Sequence, residues 1–90
     1  RTAFIEAFGE RRQFAYEVAR CESVGFRADV VYGPSTGAAG EIGLFQLHPR
    51  GVLPAFYLAG YVDPWNPYQQ IEFVAAYTAE NSWEAWTCSR

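Results

Sequence analysis

The sequence predicts an α+β domain that is mainly α, carrying a short Gly-rich β-hairpin beside a substrate groove. Three observations predict it. Apolar residues recur at helical spacing near both ends of the chain. Between them, Gly33, Pro34, Gly37, Gly40 and Gly43 punctuate a stretch with turn and hairpin signals. And 90 residues, half of them hydrophobic, suffice for a single domain over residues 1–90 but not for two.

The first stretch, TAFIEAFG, reads as a short helix with Phe4, Ile5 and Phe8 apolar, ended by Gly9. ERRQFAYEVARCES follows. Phe14, Val18 and Cys21 fall at i, i+4 and i+7, and Ala15, Ala19 and Glu22 repeat that spacing one position on. Glu22 therefore lies on the edge of an apolar stripe, and Gly25 is expected to end the helix. DVVY (29–32) and IGLFQL (42–47) are short strand candidates. GVLPAFYLAGY reads as a short helix started near Pro54. DPWNP is a turn, in which Asn66 and Pro67 suit the cap and first position of a helix. That last helix, PYQQIEFVAAYTAENS, puts Ile71, Val74, Ala75 and Thr78 on one face, and WEAWTC packs the tail back.

A chain this small buries only somewhat more than ~60% of its unfolded surface, so its margin of stability is thin. Aromatic residues make up 18% of it, enough to build a core from few side chains and leave some to line a groove. The net charge is −3, with seven arginines and no lysine, which argues against a nucleic-acid binder. No apolar run approaches the ~20 residues of a membrane span. The chain shows no signal-peptide pattern and begins abruptly at Arg1, as a processed product or a piece of something larger would. Two cysteines and one histidine are too few for a structural zinc site, so no metal is expected. Cys21 and Cys88 are either two buried thiols or one disulfide. A disulfide would stabilise the fold by roughly 4 kcal/mol and point to an oxidising compartment.

Glu22 carries the chemistry that this sequence suggests. It follows an apolar stripe and precedes a Gly-rich loop. If the loop covers the helix end, the carboxyl is shielded from water, and desolvation disfavours its charged form. The negative end of the helix dipole acts in the same direction. A carboxylic acid still protonated near neutral pH can donate a proton to a leaving oxygen, as glycosidic cleavage requires. The plainer alternative is a solvated charge at a helix end.

Glu22-Ser23, a Gly-rich segment and then Gly43-Leu44-Phe45-Gln46 resemble the pattern of the soluble lytic transglycosylase and goose-type lysozyme family. DPWNPYQQIEFVAAYTAENSW is similar to the helix that borders that family's groove. Cys21 directly before Glu22, and Cys88 after Trp83 and Trp86, resemble the layout of resuscitation-promoting factors, small relatives with the same lysozyme-like fold. The resemblance covers roughly residues 10 to 88. The chain departs from it in three places. Glu22 and Gln46 are widely spaced, the Ala-Tyr-Asn motif of the transglycosylases is absent, and His48 stands where goose-type lysozymes place an aspartate.

The resemblance implies a lysozyme-like domain in which Glu22 is the catalytic acid/base. Ser23 would bond the acid or the sugar, Gln46 a sugar or its N-acetyl group, and Tyr77 would face the reaction centre from the last helix. Glu41, just before IGLFQ, could face Glu22 across the cleft. Two such carboxyls serve hydrolysis, and the neighbouring charge keeps Glu22 protonated. Asp29 reads as a turn residue and His48 as structural, and of the three tryptophans, mostly core, Trp65 in its turn is the one best placed for exposure. A Cys21–Cys88 disulfide would pin the acid's helix to the tail without blocking the acid, because adjacent helical residues point about 100° apart.

The function so implied is cleavage of the β-1,4 bond between N-acetylmuramic acid and N-acetylglucosamine in peptidoglycan glycan strands. The route would be that of a lytic transglycosylase giving 1,6-anhydromuropeptides. A hydrolytic muramidase and a non-catalytic glycan-binding module are the alternatives. No cofactor, nucleic acid or membrane span enters this reading. The domain would act as a monomer or as part of a larger chain, either secreted to the cell envelope or carried by a phage virion or endolysin.

Overall fold

In the computed structural model, which describes residues 2–90, five α-helices and three short 3-10 turns surround one hydrophobic core. The helices are α1 (Thr2–Phe8), α2 (Arg12–Glu22), α3 (Ala28–Val31), α4 (Val52–Leu58) and α5 (Pro67–Glu80). The domain is mainly α, as its spacing predicts, with almost no strand. The IGLFQL hairpin is reduced to one antiparallel bridge, Ile42 to Leu47. The cause is local. Gly43 and Gln46 both sit at positive φ, 79° and 51°, so the segment curls into a tight turn instead of extending.

DVVY is not a strand. Its first three residues lie in α3, a single helical turn capped by Arg27 and Tyr32. Asp29 is tied there by the Arg27 guanidinium and by the Ser35 hydroxyl, which donates to Oδ2 at 2.7 Å. Gly9 does not end the first helical region in a loop. It opens a 3-10 turn, Gly9–Arg11, that leads straight into α2. α4 begins at Val52, two residues before Pro54, which sits in the first turn where its missing N–H is harmless. Asn66 and Pro67 fill their expected roles. Asn66 Oδ1 accepts from the N–H groups of Tyr68 and Gln69, and Pro67 is the first residue of α5.

The core is aromatic. Phe45 is fully buried, with ring neighbours in Phe4, Phe8, Trp83 and Trp86. α2 buries Ala15, Val18 and Ala19, small residues that let it lie close to its neighbours. The outer members of the anticipated stripe, Phe14 and Cys21, are exposed. Phe14 sets its ring edge-on to Trp83. Arg11, the N-cap residue of α2, ties the start of that helix to α5, donating to Thr78 Oγ1 at 2.7 Å and to the carbonyl of Ala75 at 3.0 Å. A disulfide joins Cys21 to Cys88. Among the described residues no helix is long and apolar enough to cross a membrane.

Candidate active site

Glu22 is the last residue of α2, and the chain turns sharply behind it. The backbone amides of Val24 and Gly25 donate to the carbonyls of Cys21 and Arg20. That pair of bonds is the glycine-type helix stop, in which one residue must be left-handed. Here the residue in that position is Val24 (φ 56°), ahead of the glycine expected to end the helix, and Gly25 (φ 76°) and Phe26 (φ 62°) follow in the same region. A β-branched residue in this conformation is strained.

Ser23 holds the turn. It is fully buried, donates its hydroxyl to the Ala19 carbonyl at 2.7 Å and accepts from the Phe26 N–H at 3.0 Å. The roles expected of it, bonding the acid or a sugar, are therefore corrected: its oxygen faces its own helix end. It fixes the backbone on which Glu22 stands.

The Glu22 carboxyl is partly buried against the tail. Its Oε2 accepts from the backbone N–H of Cys88 at 3.1 Å. Burial pushes its pKa above the ordinary glutamate value. The Cys88 amide opposes this by stabilising the anion, and the negative charge of Glu41 adds to the rise. The charge of Glu41, remote in sequence, thus reaches Glu22 through space.

Glu41 and Gln46 converge on the hairpin above Gly37. A Cβ added to Gly37 would lie 2.5 Å from Glu41 Oε1 and 2.7 Å from Gln46 Oε1. Only a residue without a side chain leaves both groups in place. Glu41 Oε1 accepts from the Ala39 N–H at 2.9 Å, and Gln46 Nε2 donates to the Gly43 carbonyl at 2.8 Å. Gln46 thereby shapes the hairpin, while its amide oxygen stays beside Glu41.

Two residues fix the hairpin to the rest of the fold. The reading of the sequence missed Gln70. It is fully buried in α5, accepts from the Phe45 N–H at 2.7 Å and donates to the carbonyls of Ile42 and Pro64. Its signal was present in the sequence: Gln70 stands four residues before Val74, on the buried stripe of α5. Trp86 is the second. Its buried indole N–H donates to the Phe45 carbonyl at 2.8 Å.

Tyr77 packs against Phe73 and Trp86, with ring centroids 5.6 and 5.9 Å away. It reaches the site region through Trp86. His48 Nδ1 accepts from the Arg50 N–H, a turn contact. Trp65 is half-buried, laid over the backbone of Gly33. Three cavities of about 200, 290 and 390 Å³ lie around α1, and none of them is lined by Glu22, Glu41, Gln46 or Tyr77.

No family model matches this chain. No curated protein and no solved structure matches it either. What the site can do therefore rests on its chemistry. It offers one partly desolvated carboxyl biased toward its acid form, a second carboxylate within electrostatic reach and an amide beside that carboxylate.

Proposed function

We propose that this chain is a lysozyme-like domain that cleaves peptidoglycan glycan strands at the β-1,4 bond between N-acetylmuramic acid and N-acetylglucosamine. The observation that carries this reading is the state of Glu22: an acid at a strained helix end, partly withdrawn from water, facing a second negative charge. Those two influences keep its proton available at a pH where a surface glutamate has lost it. The motif order Glu22-Ser23, then Gly43-Leu44-Phe45-Gln46, supplies the substrate class.

In the proposed reaction Glu22 protonates the glycosidic oxygen as the bond breaks. It then removes the proton from the C6 hydroxyl of N-acetylmuramic acid, which closes onto C1 and leaves a 1,6-anhydro product. Gln46 would orient the substrate from the hairpin and Tyr77 from α5. Glu41 favours a second route. A carboxylate across from the acid can activate water, and the product would then carry a reducing end.

Digestion of purified peptidoglycan with the wild-type chain and with Glu22→Gln distinguishes these routes, with the muropeptides read by mass spectrometry before and after borohydride. Products that resist reduction and disappear in the variant are the expected result. Reducible products that also require Glu22 assign the hydrolytic route. Equal or absent release from both proteins would reject the enzymatic reading.

A further inference from the structure

Among the described residues, no hydrogen bond joins α2 directly to the hairpin. The two carboxyls of the site nevertheless stand on these two elements, Glu22 on α2 and Glu41 on the hairpin. At the end of α2 that carries Glu22, the connection runs through the tail; at its other end, Arg11 ties the start of the helix to α5. Glu22 accepts from the Cys88 amide, and the Cys21–Cys88 disulfide bonds the same tail residue to the last turn of α2. Two residues before Cys88, the Trp86 indole donates to the carbonyl of Phe45, the neighbour of Gln46. Gln70 also grips Phe45, but it anchors the hairpin to α5 and makes no bond to α2 or the tail.

We propose that Trp86 is a positioning residue: by tying the tail to the hairpin, its indole N–H sets the spacing between Glu22 and Glu41. The disulfide fixes the tail to the acid's helix, and the indole fixes that unit to the second carboxyl. Trp86 need not meet substrate to do this. Its bearing on turnover rests on Glu22 being the acid, while its bearing on the spacing does not.

Coupling between the two carboxyls reads the spacing directly. The groups acting on Glu22 are the Cys88 amide from the tail and the Glu41 carboxylate from the hairpin. The titration midpoint of Glu22 is followed by carboxyl-carbon NMR in the 90-residue chain, with and without Glu41→Gln. In the wild type, Glu41→Gln lowers the midpoint. With Trp86→Phe, which keeps an aromatic ring and removes the donor, the same change leaves the midpoint nearly still. Trp83→Phe, a neighbouring ring with no bond to Phe45, keeps the wild-type coupling. This is a double-mutant cycle, and a general loss of stability does not mimic it.

Should Trp86→Phe fail to fold, a synthetic chain with benzothienylalanine at position 86 carries the test, since it retains the bicyclic volume and lacks only the N–H. Undiminished coupling in a folded chain lacking the indole donor overturns the proposal. If peptidoglycan is cleaved, losing the donor also lowers turnover by roughly 10- to 100-fold, the cost of a displacement of about an ångström. If the wild type releases no product but the coupling still vanishes without the indole donor, the catalytic reading fails and the positioning role stands.

Discussion

Glu22 accepts a hydrogen bond from the backbone of Cys88, 66 residues further along the chain. The bond stabilises the anion, whereas burial of the carboxyl favours the neutral acid, and burial has the larger effect. The result is a carboxyl that costs folding stability when it ionises. Its folded-state pKa lies above the usual 4.5, so the penalty sets in as pH rises through that raised value. Glu22→Gln removes the penalty. Its melting temperature relative to wild type should therefore rise between pH 4 and pH 7, a signature of a group held for chemistry at the expense of stability. A gap that does not change with pH would mean that Glu22 titrates as a surface residue.

Glu41→Gln should act on the pH profile of turnover. Without the Glu41 charge, the Glu22 acid loses its proton at lower pH. The falling alkaline limb of the profile should move toward acid. A loss of rate at every pH with no such movement would give Glu41 the role of base instead.

Gly37→Ala should separate the site from the fold. The added Cβ strikes the ends of Glu41 and Gln46, which can swing away. Stability should fall by about 1 kcal/mol or less, within the range of surface changes. Turnover should drop on the order of tenfold, as misplacement of substrate-orienting groups costs. Thermal melts and product release on one preparation check both.

Gln70→Leu should be the opposite case. It deprives the Phe45 N–H and the Ile42 and Pro64 carbonyls of their partner in the interior. Each abandoned buried group costs ~1–3 kcal/mol, so the loss should amount to several kcal/mol and leave a 90-residue chain near unfolding. Denaturant titration measures it.

Val24→Gly should relieve the helix stop. Val24 is left-handed at φ 56°, a conformation that glycine adopts freely. A gain of roughly 0.5–1 kcal/mol is expected after the entropy cost of glycine is deducted. A loss would show that the exposed valine side chain makes contacts worth more than its strain.

The parts of the fold legible in the sequence are those written in local chemistry. Asn66-Pro67 announces the start of α5, because capping needs only neighbouring atoms. The Ala15 and Val18 spacing announces α2. Glu22 at the edge of that stripe, partly buried, follows from the same periodicity. Other features turned on side-chain bonds that apolar spacing does not report. Three β-prone residues at 30–32 suit a strand as well as a turn of helix, and the ties from Asp29 to Arg27 and Ser35 favour the helix. The left-handed run begins at Val24, one residue ahead of Gly25, and continues through Gly25 and Phe26, with Ser23 bonding the Phe26 N–H from beneath. The place of Gln70 on the buried stripe is legible from its spacing to Val74, but its partners on the hairpin are not.

The disulfide also determines what a protease can release. Cys21 and Cys88 close a covalent loop around every segment from α3 onward, including Leu58 and Val62, which are 89% and 79% exposed. A single cut anywhere between the two cysteines opens the backbone but frees no fragment. The nicked chain would run as one species on a non-reducing gel and as two after a thiol is added. Nicked at the Leu58–Val62 corner, it would still carry Glu22, Glu41 and the Trp86 tail on one covalent body.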